Sequence, residues 1–314
     1  MKYDVMCVGI ALVDNIIRGF NPEPVSASGY LAKSASLNVG GEAVNTSIAA
    51  AKLGLRTGIL CALGEDLAGE MVLKVLQKYG VDTRSVVRTD HTPITTMFVR
   101  EDGSRRSIAT LAHRSNFHPE KDPSLFTDAK ALILGSLFRT PFNDPDIIHS
   151  ALNSAKSASQ LVIADTKIPN DRVLTLEDIA DSLPLIDYIT PNEDEARYFT
   201  GQEEPEAMAD VFLGFGVKHV IIKLGGKGCL LKSVKETLRL PAYRIDAVDS
   251  TGAGDNFAAG FASEILRGAS DAEALRFANA CGAICATAIG AGTALVDRKQ
   301  VTDFLSEHAM AEDG

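Results

Sequence analysis

The chain is short of basic residues, with 31 Lys plus Arg against 41 Asp plus Glu in 314 residues and a formal charge of -10. That sign opposes holding nucleic acid or an anionic membrane by bulk electrostatics, so a bound phosphate would need a local device. Cysteines number five, scattered and without a CxxC pair. Reduced thiols in a cytoplasmic protein are expected, and not a disulfide framework. Cys281 and Cys285, four apart on one helix face, lack the second pair a zinc site needs and read as core. No apolar stretch reaches the length that spans a bilayer. Met1 to Gly9 has no small-residue cleavage site and reads as a buried strand, not a signal peptide. None of the six histidines falls at a metal spacing, and GxSxG, HExxH and EF-hand patterns are missing, so the common hydrolase and metal-site readings have no support. Neither Lys223 to Gly228 nor Val8 to Leu12 satisfies a Walker A loop or a dinucleotide fingerprint.

What is present is an ordinary soluble composition, 46% hydrophobic, enough to bury a sizeable core. Short apolar runs alternate with helical spacing. Strands are expected at Tyr3 to Gly9, Thr57 to Leu63, Ala131 to Leu134, Leu161 to Ala164, Ile186 to Thr190 and Val220 to Leu224. Helices are expected at Gly40 to Leu53, Asp66 to Tyr79, Asp144 to Ser157, Asn192 to Phe199, Gly252 to Leu266 and Asp271 to Ala288. This alternation implies βαβ units and a mostly parallel sheet covered on both faces. Two segments break the rhythm, at about 14–39 and 91–111. They lack helical period and read as antiparallel strands of a small sheet, the second turning at Glu101-Asp102-Gly103-Ser104. With no linker or repeat, residues 1–314 read as a single α/β domain carrying a β lid built from these two excursions.

Several motifs could carry chemistry. Asp249-Ser250-Thr251-Gly252-Ala253-Gly254-Asp255 joins a β-like run, Tyr243 to Val248, to a small-residue helix. Amides at such a helix start point outward with the positive end of the helix dipole, and glycines let an anion approach. Asp255 could then accept a proton from a hydroxyl while the amides hold a phosphoryl group. The same pattern also fits a Gly-rich turn with a helix-start carboxylate. Gly40-Gly41-Glu42-Ala43-Val44-Asn45 opens another helix, where Asn45 offers a donor and an acceptor to sugar hydroxyls; a tight turn is the alternative. Asp14, soon after the first strand, falls where open α/β sheets bind ligands, or else forms a turn. Asn192 and Glu195, three apart, could face a magnesium ion or simply start a helix. Lys223-Leu224-Gly225-Gly226-Lys227-Gly228 could pass beneath a nucleotide or form a hairpin.

Taken in order along the chain, these motifs resemble the two signatures of the ribokinase-like (PfkB) carbohydrate kinases, with Phe277-Ala278-Asn279-Ala280 also in family order. The resemblance implies a ribokinase-like three-layer α/β/α sandwich with a mostly parallel central sheet and a small β-sheet lid. It implies ATP-dependent phosphorylation of a primary hydroxyl of a sugar or sugar acid. Asp255 would be the base, Gly252, Ala253 and Gly254 the anion hole, and Asp14, Gly40, Gly41 and Asn45 the sugar site. Lys223, Gly225, Gly228 and Asn279 would line the nucleotide, and Asn192 and Glu195 would position Mg2+ indirectly. A monovalent cation, K+, would be held by Asp249, Thr251, Cys285, Ala288 and Gly290, largely through backbone oxygens. A homodimer through the lid is also implied. Lys167, in Asp165-Thr166-Lys167, replaces the asparagine often found there, and Glu42-Ala43-Val44 does not tie the chain to ribokinases, fructokinases or adenosine kinases in particular. Arg105 and Arg106 follow the lid turn, where an arginine could meet an acidic sugar or stay exposed. A nucleoside kinase on this fold is disfavoured by few lid aromatics, Tyr30 and Phe98, and a silent sugar-binding protein by the intact Asp255, Gly252 and Gly254.

Overall fold

The expected alternation of runs is realised in a computed structural model that describes residues 1–19, 32–100, 104–110, 117–170 and 172–308. Strand β1 (Tyr3–Val8) is followed by β2 (Leu12–Arg18), β3 (Ser34–Gly40), helix α1 (Glu42–Lys52) and β4 (Thr57–Leu60). Next come β5 (Ala62–Gly64), α2 (Leu67–Lys78), β6 (Val87–Thr89), β7 (Ile94–Val99) and β8 (Arg105–Ala109). The chain continues through β9 (Ala129–Leu137), α3 (Pro145–Ser157), β10 (Leu161–Thr166), β11 (Tyr188–Ile189), α4 (Glu193–Thr200) and α5 (Pro205–Gly214). It ends with β12 (His219–Lys223), β13 (Cys229–Ser233), β14 (Thr237–Leu240), α6 (Ala253–Ile265), α7 (Asp271–Ala286) and α8 (Arg298–Glu307).

Eight strands form the central sheet in the order β14-β13-β12-β11-β10-β9-β1-β4. It is parallel from β4 to β12 and antiparallel through β13 and β14. Such a sheet is stable when both faces are covered, and the pleat of β1 shows how. Met6 and Val8 enter one core with Ile148 and Leu152 of α3 and Phe212 of α5. Val5 and Cys7 enter the other, with Phe261 of α6 and Leu275 of α7. Each fully buried side chain of this size contributes about 1.5–3 kcal/mol. Strand order reverses at β1, which lies between β9 and β4, and the crevice beyond the carboxyl ends of the strands at such a reversal is where open α/β sheets take ligands.

A separate sheet has the order β3-β2-β7-β8. It is not antiparallel throughout: β2 pairs with β3 and β7 with β8 antiparallel, but the inner strands β2 and β7 run parallel. Both hairpins leave the main body in the same direction, so their first strands meet side by side. The turn at 101–103, residues 20–31 of the first excursion and residue 111, where the second ends, lie outside the described residues, as do 112–116 after it. Two further expectations are corrected. Thr57 to Leu63 is not one strand, because β4 stops at Leu60 and β5 leaves the sheet to pair with β6. Tyr243 to Val248 is not a strand; only Tyr243 forms a bridge, and the chain there drops directly to the start of α6. All five cysteines are buried and unpaired. Among the described residues, no helix is long and apolar enough to cross a membrane.

Candidate active site

Helix α6 begins without a side-chain cap. Its N-cap, Gly252, has φ 79, a left-handed conformation, and a Cβ there would lie 2.2 Å from the Ala291 Cβ. The turn thus brings the 290–292 loop against the helix start. Asn256 Nδ2 holds the two together by donating to the Gly252 carbonyl at 2.8 Å and the Ala291 carbonyl at 2.8 Å. The Ala253 amide turns back to the Ser250 carbonyl at 3.1 Å, so one of the three expected anion-hole amides is engaged within the turn.

Asp255 stands one turn into α6 and is 7% exposed. Its Oδ2 accepts a hydrogen bond from Asn45 Nδ2 of α1 at 2.8 Å. Burial pushes its carboxyl up to about 6; Glu42 and Asp165 add to the rise, while Lys167 and the Asn45 bond oppose it. A carboxylate poised there suits a general base working near neutral pH. Asp14 on β2 is likewise raised to about 6, by burial and then by Glu42. Gly40 leaves room for that carboxylate, since a Cβ would fall 2.3 Å from Asp14 Oδ2. Gly41, at φ 97, lets α1 start against the chain after β1, where a Cβ would lie 2.3 Å from the Ile10 carbonyl oxygen.

A cleft of about 920 Å³ runs from Asp255 over the carboxyl ends of the strands. Gly252, Ala253, Gly254, Asp255, Asn192, Lys223, Gly225, Gly228 and Asn279 all line it. Asp14, Gly40, Gly41 and Asn45 do not; they stand beyond its inner end, joined to it by the Asn45–Asp255 bond. Gly225 to Lys227 form the tight turn of the β12–β13 hairpin, so the glycine loop is both hairpin and cleft wall. Asn279 Nδ2 donates to the Pro241 carbonyl at 3.3 Å.

Asn192 and Glu195 form a reciprocal capping box at the start of α4. Asn192 Oδ1 accepts from the Glu195 amide at 2.9 Å, and Glu195 Oε2 accepts from the Asn192 amide at 3.0 Å and from Thr166 Oγ1 at 3.1 Å. Glu195 therefore lies behind the cleft wall, and burial, with Asp165, raises its carboxyl. Among the described residues, no group of three or more His, Cys, Asp or Glu is arranged to hold a metal ion. The five residues assigned to a monovalent cation lie off the cleft. Asp249 Oδ1 accepts from the Thr251 amide and hydroxyl at 3.1 and 2.7 Å, and Oδ2 from the Gly290 amide at 3.2 Å, while Cys285 Sγ is 3.5 Å from the Thr251 carbonyl oxygen. Ala288 sits between Cys285 and Gly290 in sequence. Arg106 is exposed on β8, and the side chain of Arg105 and the whole of Tyr30 lie outside the described residues.

Three charged residues join the site that motif reading did not assign to it. Asp165 Oδ1 accepts from Lys223 Nζ at 2.6 Å and Thr190 Oγ1 at 2.8 Å. Glu42 Oε2 accepts from Ser136 Oγ at 3.1 Å, and that hydroxyl oxygen accepts from the Ile10 amide at 3.1 Å. Lys167 lines the cleft, its Nζ near Asp165, Glu195 and Glu42. The signal for them was their place, just past strand ends or a glycine pair, and not a motif.

Comparison with known proteins bears on the fold and the family. The model of the pfkB family carbohydrate kinases matches residues 2–298. The chain is 30% identical over 280 residues to ribokinase from Haemophilus influenzae, covering 86% of this chain and 88% of that protein. It is 30% identical over 289 residues to aminoimidazole riboside kinase from Salmonella typhimurium, covering 87% and 89%. The solved structure of Arabidopsis thaliana ribokinase complexed with ribose and ATP superposes with a TM-score of 0.84 at 27% identity, over 97% of this chain and 99% of that one. With that family match running nearly end to end on this fold, the chain belongs to the pfkB family of carbohydrate kinases.

Proposed function

We propose that this chain transfers the γ-phosphoryl group of ATP to a primary hydroxyl of a sugar or sugar acid. The observation that carries the reading is the Asn45–Asp255 bond at 2.8 Å, which sets a buried carboxylate with a raised pKa at the inner end of the cleft beside an uncapped helix start. Asp255 takes the proton of the attacking hydroxyl. A bond forms from that oxygen to phosphorus, the bond from phosphorus to the β,γ-bridging oxygen breaks, and its electron pair leaves on ADP. The amides of Gly252 and Gly254 stabilise the transferring group, and Asp14, Gly41 and Asn45 orient the acceptor.

The cleft volume suits a nucleotide, with Gly225, Gly228 and Asn279 on its walls and Lys223 Nζ beside Gly254. The residues also fit a hydrated magnesium ion: Asp165 Oδ2 is buried without a hydrogen-bond partner among the described residues, and Asn192 reaches the cleft. Asn192, backed by Glu195, would help to hold the ion indirectly, and magnesium would supply charge that neutralises phosphate oxygens. Asp249, Thr251, Cys285, Ala288 and Gly290 would hold potassium beside the helix start.

The same reading makes the four-stranded sheet a lid over the acceptor and takes a second copy of this chain as partner. Leu37, Asn15, Thr96 and Ile108 form one row across that sheet, and Leu37 and Ile108 are 60% and 68% exposed. Five buried unpaired thiols support a cytoplasmic setting.

The test is mass spectrometry of products after incubation with ATP, magnesium, potassium and a pool of sugars, sugar acids and nucleosides, beside Asp255→Asn. One new phosphorylated mass that the variant fails to form supports the reading, and a nucleoside product moves it to the riboside class. An Asp255→Asn enzyme of full activity would overturn the assigned base.

A further inference from the structure

We infer that Lys167 is a catalytic residue that grips the phosphoryl group in transfer, between Asp255 and the nucleotide. The inference rests on the kinase reading above. It starts from the charges around the cleft's inner end. Asp14, Glu42, Asp165, Glu195 and Asp255 gather there, and a polyphosphate brought among them meets repulsion unless a cation answers it. Two ammonium groups line the cleft, those of Lys223 and Lys167.

They are held differently. Lys223 Nζ donates to Asp165 at 2.6 Å, a full charge-assisted hydrogen bond. Lys167 Nζ lies 3.6 Å from Asp165, 3.8 Å from Glu195 and 4.0 Å from Glu42. All three distances exceed the range of an N–H donor bonded to oxygen. The carboxylates thus hold the ammonium in the field of three anions without taking its donors. Burial works against its charge, but Asp165, Glu42, Asp255 and Glu195 outweigh burial and keep it protonated.

Its position is fixed from behind. Lys167 follows the last residue of β10, and its own amide donates to the Leu137 carbonyl at the end of β9 at 2.9 Å. The preceding residue, Thr166, is tied through its hydroxyl to Glu195. From that base the side chain enters the same cleft as Gly254 and acts on Asp255 as the strongest influence after burial. A cation with three donors, in the cleft that Asp255 and the uncapped helix start also line, matches a group whose charge is spread over three equatorial oxygens.

Equilibrium binding tests this without knowledge of the acceptor. Calorimetry with magnesium and either β,γ-imido-ATP or ADP would compare the wild-type protein, Lys167→Gln and Lys167→Arg. Loss of a charge-assisted contact to the terminal phosphate should weaken the imido analogue by about tenfold or more in Lys167→Gln. ADP should bind within about twofold of wild type, showing an intact fold, and Lys167→Arg should recover most of the loss, since it keeps the charge. Equal weakening of both nucleotides would assign Lys167 a structural role and overturn the inference. So would unchanged binding of both, including the case in which only the KM for an acidic acceptor rises. If the wild-type protein binds neither nucleotide, the kinase reading itself fails, and the inference falls with it.

Discussion

Replacing Asp255 with asparagine should make the protein inactive and, above about pH 6, more stable. Burial carries the Asp255 carboxyl from its ordinary 3.8 to about 6 in the folded protein. The folded state therefore holds this proton more tightly than the unfolded chain does. Stability contributed by the protonated group is complete below about pH 4 and is lost as pH rises through about 6. At about 1.4 kcal/mol for each pH unit of that displacement, the ionised carboxylate costs the wild-type fold about 3 kcal/mol at neutral pH. Asparagine keeps the volume and can meet Asn45 without acquiring charge, so Asp255→Asn should gain stability approaching that amount at pH 8 and none at pH 4. In a chain of this size the gain appears as several degrees in Tm, since about 1 kcal/mol moves Tm by roughly 2–4 °C in domains of 150–250 residues. Thermal melts of both proteins from pH 4 to 8.5 are the assay, and Asp14, raised to about 6 in both, cancels in the difference. Two curves that run parallel across the whole range would refute the reasoning, because the site would then impose no penalty on the charge. The kinetic counterpart is a kcat/KM for the wild type that rises with pH through about 6, and a loss of about 10²-fold or more in the variant.

Other expectations follow from neighbouring contacts. Asn45→Leu removes a bond that favours the Asp255 carboxylate, so the acid limb of the pH–rate profile should move to higher pH; an unmoved limb would separate Asn45 from the base. Gly252→Ala forces a Cβ at φ 79 to within 2.2 Å of Ala291, adding to an intrinsic cost of about 1–2 kcal/mol, and urea titration should show destabilisation with loss of turnover. Lys223→Met removes the hydrogen-bonded cation of the buried Asp165 and leaves only Lys167 at 3.6 Å, so it should destabilise by about 1–3 kcal/mol, a loss that Asp165→Asn in the same chain largely restores without restoring ATP affinity. Leu37→Glu with Ile108→Glu should shift sedimentation toward monomer if the exposed row of the small sheet joins two copies.

How far the site could be read in advance depended on how local each cause is. Gly252, Gly254 and Asp255 stood out because an uncapped helix start needs glycine and a short acid within a few residues of each other. The capping box of Asn192 and Glu195 was equally local, and the reading of a simple helix start proved part of the answer, since both side chains serve the helix end first. Lys167 and Glu42 were noticed only as unusual residues, because their meaning arises from three carboxylates that come from β10, α4 and α1. The same limit applies to the fold. Most strands of the parallel part follow from apolar runs between helices, but the run from Thr57 to Leu63 shows no break in its pattern, and its division at Cys61 depends on β6 being there to pair with β5. The parallel pairing of β2 and β7 is likewise a long-range choice, invisible to the alternation within either segment.

The bond between Asn45 and Asp255 spans 210 residues of chain. During synthesis the first glycine turn, its helix and the small sheet emerge long before the residue that completes them, and the carboxylate arrives only when four-fifths of the chain has been made. A chain cut before Asp255 therefore lacks the acceptor of the Asn45 Nδ2 hydrogen bond, whatever else of it folds. The two side chains can meet only once α6 has emerged and packed beside α1, so this contact joins an early part of the chain to a late one.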